Sequence, residues 1–180
     1  MKTSMLRPSM ALGIIIALFG IHLAAQAADP IIGTWVLNVA KSKFNPGPAP
    51  KSELRTYVIE GQETKATFKG VSEPRRYVTV RQEIKASSEG VDGDGKSTTA
   101  EWTVVYDGKD RPITGNPDAD MLSLKRIDAF TTEFTQKKAS KVVIIGTAAI
   151  STDGRVMTIT TKGINAKGQT INDVSVFEKQ

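Results

Sequence analysis

From residue 33 onward, apolar side chains recur at every second position, in segments rich in Thr, Val, Ile and Tyr. Alternation with these residue types is the pattern of half-buried strands rather than of helices. It predicts ten strands, over 33 to 39, 54 to 60, 63 to 69, 76 to 84, 98 to 107, 121 to 128, 131 to 137, 141 to 150, 155 to 162 and 169 to 178. Between them lie Glu60-Gly61-Gln62, Asp107-Gly108-Lys109, Asp128-Ala129, Thr152-Asp153-Gly154 and Ala166-Lys167-Gly168, which read as turns. Connections this short make successive strands antiparallel neighbours.

In STTAEWTVVY, Ala100, Trp102, Val104 and Tyr106 share one face, and Thr99, Glu101 and Thr103 take the other. In MLSLKRID, Leu122 and Leu124 oppose Ser123 and Lys125 in the same way. One wall is therefore dry and the other wet. The segment KVVIIGTAAI, 141 to 150, is apolar on both faces with Gly146 at its middle, which suits a bulged or doubly covered strand or one that faces a partner. A meander with one dry face either stacks as two sheets or closes on itself, and closure removes the edges that invite aggregation. The expected fold is all-β, an antiparallel up-and-down barrel of about eight to ten strands.

Residues 1 to 27 have a different pattern. Lys2 and Arg7 precede the apolar run ALGIIIALFGIHLAA of residues 11 to 25, and Ala25-Gln26-Ala27 follows as a small-x-small cleavage site. This is the layout of an export signal, and the run is shorter than the roughly 20 residues of a spanning helix. The expected organisation is a signal peptide over 1–27, cleaved after Ala27, and one barrel domain over 28–180. The product is then periplasmic or secreted, with no stable membrane span once the signal is gone. Removing 27 of 180 residues leaves 153, enough for a single domain with a substantial core.

Composition narrows the chemistry. There is no cysteine, and the single histidine, His22, falls in the signal. Disulfides, thiol or histidine nucleophile systems and histidine or thiolate metal sites are thereby excluded. After signal removal 22 basic residues face 19 acidic ones, a net charge of +3 that is too mild to argue for nucleic acid. No cofactor or metal is expected, no residue pair compels a catalytic assignment, and the protein partner is left unspecified.

Gly33-Thr34-Trp35, at the head of the first strand, resembles the Gly-x-Trp signature of the lipocalin and fatty-acid-binding-protein group, the calycin barrels. GTWVLNVAKSKF together with YDGKDRPITGNPDADMLSLKRID is similar to exported bacterial lipocalin-like proteins of unassigned activity. The resemblance implies that Trp35 packs across the closed end of the barrel, with Gly33 admitting a close backbone approach. An ordinary core tryptophan would be buried to nearly the same extent. The chain departs from the fatty-acid-binding pattern in two places. Residues 40 to 53 carry Pro46, Pro48 and Pro50 and should form an extended loop rather than a helical lid. The tail reads Ser175-Val176-Phe177 where that group places an Arg-x-Tyr clamp for a ligand carboxylate.

Two loops invite sharper readings. GVDGDGKS, 90 to 97, spells the phosphate-loop pattern, but Asp92 and Asp94 would repel a polyphosphate and a strand pattern follows, so a hairpin connection is the better reading. In TGNPDAD, 114 to 120, Asn116, Asp118 and Asp120 could close backbone turns, hold a cation or act as a carboxylate pair, and turn closure is the commoner use. The expected function is non-enzymatic binding of a small, largely apolar ligand in the barrel interior. Candidate lining residues are Phe68, Trp102, Val104, Tyr106, Leu122, Leu124, Phe134, Met157, Ile159 and Phe177. The alternative is a packed barrel that serves as an interaction module of the cell envelope, using an exposed edge such as 141 to 150.

Overall fold

The computed structural model describes residues 28–67 and 76–180, with side chains described for 28–61 and 83–180. The expected signal segment, Phe68 and the rest of 68–75 lie outside the described residues. Ten strands follow one another as β1 (Gly33–Leu37), β2 (Ser52–Thr67), β3 (Arg76–Val91), β4 (Ser97–Val104), β5 (Arg111–Thr114), β6 (Met121–Arg126), β7 (Thr131–Lys138), β8 (Lys141–Ile150), β9 (Val156–Ile164) and β10 (Thr170–Lys179). Each pairs with its sequence neighbours, and β1 closes on β10 through Trp35↔Lys179 and Leu37↔Phe177, giving a closed antiparallel barrel. Among the described residues the one helical element is a 3-10 turn at Val39–Lys41. Among the described residues no helix is long and apolar enough to cross a membrane.

Ten strands form, but they are not the ten that the pattern predicts. Glu60-Gly61-Gln62 is not a turn: β2 runs through it, with Gly61 opposite Gln82 in an unbroken ladder from Ser52↔Val91 to Thr67↔Arg76. Glycine lacks there the preceding Asn or Asp that favours a two-residue hairpin. The predicted strands 54 to 60 and 63 to 69 are therefore one, and β3 continues past residue 84 to Val91. The count is restored by β5, four residues containing Pro112, which is too short and too proline-marked to announce itself as a strand.

Because β1 leaves β2 at Gly33↔Tyr57 and β4 leaves β3 at Ile84↔Val104, the far half of the β2–β3 hairpin is a two-stranded ribbon. It extends the wall by about 30 Å at the usual rise per residue. The wall is thinnest at β5, which shares two residue pairs with β4 and two with β6. At the opposite side β9 and β10 pair over Thr170↔Ile164 to Glu178↔Val156. The segment 141 to 150 is β8, bonded on both sides to β7 and β9, so it is no edge. Its register shifts between Gln136 and Lys137 of β7, a bulge in the predicted strand. Ile144 and Ile150 point into the core while Val142 and Ile145 lie on the outer face.

Candidate functional site

The interior has two storeys. The lower one is sealed. Trp35, Met157 and Phe177 have no exposed surface, and Tyr57, Ala86, Val104, Ile150 and Ile159 pack with them. The chain just ahead of β1 folds under this layer. Ile31 is buried, its carbonyl accepts the Trp35 indole N–H at 2.8 Å, and Lys179 Nζ donates to the Pro30 carbonyl at 3.1 Å. The same ammonium lies 5.1 Å from the Trp35 ring centre. Gly33, at φ +128°, holds a backbone conformation that favours glycine, and a β-carbon there would also press on the flexible end of Lys179 at 2.7 Å. Trp35 is thus the floor of the barrel. Beside it Arg126 stacks 3.7 Å from the Tyr106 ring centre and pairs with Asp29. Burial, then the Asp29 carboxylate, pushes the Tyr106 phenol well above its ordinary range.

The upper storey is polar and partly open. β2 turns Glu53, Arg55 and Tyr57 inward, because Arg55 lies across from Trp35 and Tyr57 across from Gly33. The Arg55 guanidinium sits 4.8 Å from the Phe177 ring centre and 6.0 Å from that of Trp102, and Trp102 meets Tyr57 edge to face at 5.9 Å. Arg55 Nε donates to Glu53 Oε1 at 2.7 Å. Burial works against the arginine's charge, but the Glu53 carboxylate and the Tyr57 phenol outweigh it and raise its pKa further. Burial likewise raises the Tyr57 phenol, opposed by Arg55. Enclosed by protein as it is, the Arg55 side chain keeps 25% of its surface open. Other inward groups, Leu124, Phe134, Thr161 and Ser175, are only half-buried.

Five loops cross the barrel's upper end. Asp94 in the β3–β4 turn pairs with Lys167 in the β9–β10 turn, which lies across the mouth from it. Asp118 Oδ1 accepts the Ala166 N–H at 2.6 Å, and Asp120 Oδ2 accepts the Ala139 N–H at 2.9 Å. The proline loop after β1 continues along β10 through Lys43↔Val174 and then reaches Gly93, where a β-carbon would lie 2.5 Å from Pro48. Phe44 anchors this loop by packing against the lower cluster.

Of the expected lining residues, Phe68 is outside the described residues. Val104, Met157, Ile159 and Phe177 belong to the lower cluster, Leu122 to a second cluster with Ala100, Ile113 and Ala119, and Trp102, Tyr106, Leu124 and Phe134 pack against them. Asn116, Asp118 and Asp120 are turn and loop closers: Asn116 Oδ1 accepts the Asp118 N–H at 2.8 Å, and both aspartates accept backbone N–H groups of neighbouring loops. GVDGDGKS is a hairpin turn, with Asp92 Oδ1 accepting the Lys96 N–H at 2.8 Å and β4 following. Among the described residues no group of three His, Asp or Glu side chains is placed to hold a metal ion.

Sequence reasoning missed Glu53 and Arg55. In ELRTYV the apolar Leu54 and Val58 suggest the inward phase, yet Val58 is exposed and the inward set is Glu53, Arg55 and Tyr57. A charged pair on the dry side of a strand is the local inconsistency that marks functional sites. A concavity of about 960 Å³ lies along β2 to β5, lined mainly by residues of the outer faces. It is lined by Val58, Glu60, Glu83, Lys85, Thr103 and Pro112 among others, with Lys85 Nζ donating to Thr103 Oγ1 at 3.0 Å.

Fold and interior together define a closed antiparallel β-barrel with a tryptophan floor and a strapped, polar upper lumen, an architecture compatible with the calycin barrels. No protein-family model matches the chain, and a search of curated proteins finds no match.

Proposed function

We propose that this protein is a non-enzymatic container: an exported, lipocalin-like barrel that holds a small, largely apolar molecule in its upper lumen. One observation carries the reading. Inward side chains at mid-height, Arg55 and Glu53 among them, keep part of their surface exposed, whereas Trp35, Met157 and Phe177 keep none. A barrel filled by its own side chains would bury both levels alike. Trp102, Leu124 and Phe134 supply the apolar flank of that space, and the crossing loops give it a cover. Export rests on the pattern of residues 1 to 27, and the mature chain is expected to start at Ala28, which N-terminal sequencing of the protein from its host checks.

The test of the container is quenching of tryptophan emission by a brominated apolar probe. Saturable quenching that Trp102→Phe removes and Trp35→Phe preserves supports it. Quenching that never saturates argues against it.

The outer groove favours a second reading, an interaction module. Val58, which lines it, and Val142 and Ile145 on β8 are about half exposed, which is the chemistry of a docking face. Here the interface is a sheet face or the β2–β3 ribbon rather than an edge at 141 to 150. Cross-linking in cells from position 58, set against cross-linking from position 109, separates this reading from the first.

A further inference from the structure

The upper lumen contains a guanidinium whose charge is already answered. Glu53 takes the Nε edge of Arg55, and Phe177 and Trp102 lie within 4.8 and 6.0 Å of its central carbon. A planar fork held at one edge and packed on aromatic rings is preorganised. Its polar partners among the described residues are Glu53 and the Tyr57 phenol, so N–H donors of its two Nη groups remain over, and the side chain keeps 25% of its surface open. A second inward carboxylate, Asp173, stands on β10 opposite Thr161 and accepts the Asn45 N–H at 2.8 Å.

This arrangement selects by charge. An anionic head on the Nη edge would join the Glu53 carboxylate against one guanidinium in a largely enclosed space, where that repulsion is less screened than in water. A neutral acceptor such as an ester, ketone or amide carbonyl takes the same donors without adding charge, and leaves no buried N–H unmet. Resting on the container reading above, we infer that the lumen binds neutral apolar molecules carrying a carbonyl head on the Nη edge of Arg55, and discriminates against the corresponding carboxylates.

The experiment is calorimetric titration at neutral pH of the protein, freed of bound lipid, with methyl dodecanoate, dodecanoic acid and dodecylbenzene. The ester is expected to bind about tenfold more tightly than the acid. Arg55→Met lowers ester affinity about tenfold and leaves dodecylbenzene unchanged. Glu53→Gln frees the guanidinium's charge and reverses the order, so that the acid binds more tightly than the ester. The second variant keeps the lumen's volume and hydrogen-bonding shape, and decides the matter if the first fails to fold. Wild-type protein that prefers the acid, or a Glu53→Gln variant that keeps the wild-type order, overturns the inference while the container stands. Failure of all three probes to bind the wild type overturns both.

Discussion

The floor and the upper lumen are lined by the same ten strands, yet one is shut and the other is not, and the residues at fault can be named. At the floor the inward positions of β1, β9 and β10 are Trp35, Met157 and Phe177, large and apolar, and they meet without exposed surface. Higher on β2, β9 and β10 the inward residues are Arg55, Thr161 and Ser175, which are smaller or polar and only half-buried. A barrel of this size is filled or hollow according to side-chain volume at each level. The floor supplies rigidity, and the upper lumen accepts a loss of packing in exchange for chemistry.

Breaking the floor should have the largest effect. Trp35→Ala removes the plug, its indole hydrogen bond and the surface on which Lys179 rests, and is expected to cost about 3–5 kcal/mol in urea denaturation. Trp35→Phe keeps most of the ring and loses the bond to Ile31, costing about 1 kcal/mol. Gly33→Ala, by strain at φ +128° and collision with Lys179, should fall between them at about 2 kcal/mol. Equal effects of Trp35→Ala and Leu124→Ala would erase the contrast between the storeys.

In the upper lumen a truncation at Arg55 should be milder. Stranding one member of a fully buried ion pair costs several kcal/mol, but this lumen is partly open, so Arg55→Met is expected to cost about 1–2 kcal/mol. The double variant with Glu53→Gln should recover part of that loss. Full additivity in this cycle would show that the pair is not coupled.

Smaller still is the strap across the mouth. Lys167, through hydrogen bonding and charge, holds the Asp94 carboxyl below its ordinary 3.8. Its folded value is depressed, so the pair's contribution is whole above 3.8 and is lost as pH falls through the lower folded value. Asp94→Asn should leave the denaturation midpoint in place and speed uptake of an apolar dye several-fold in stopped flow. Uptake at the wild-type rate would remove the strap from the account.

The smallest effect concerns Asp173, whose carboxyl is raised from 3.8 chiefly by burial, against the Asn45 N–H that it accepts. A raised carboxyl favours the folded state below 3.8 and loses that advantage as pH rises through its folded value. Asp173→Asn keeps an acceptor for Asn45 and is expected to lift the melting temperature by about one degree at neutral pH, with no gain below 3.8.

Most of the wall was readable from alternation. The dry faces of β4 and β6 emerge as Trp102, Val104, Leu122 and Leu124, inward as their spacing implies, and closure follows from one dry face in a long meander. The burial of Trp35 was readable too. The hairpin placed at Gly61 was not there, because a glycine without a turn-forming neighbour is tolerated within a long ladder. The Arg55 site stayed hidden because strand phase is set by the pairing partners, here Trp35 and Gly33, and not by the residues of β2 alone. Single-strand hydrophobicity places Leu54 and Val58 inside; the sheet places Glu53 and Arg55 there instead.

Native mass spectrometry of the protein purified from its own host tests the container most directly. The account predicts a population heavier than the mature chain by one small neutral molecule, which collisional activation releases without charge. A single bare mass under conditions that preserve the fold would contradict it.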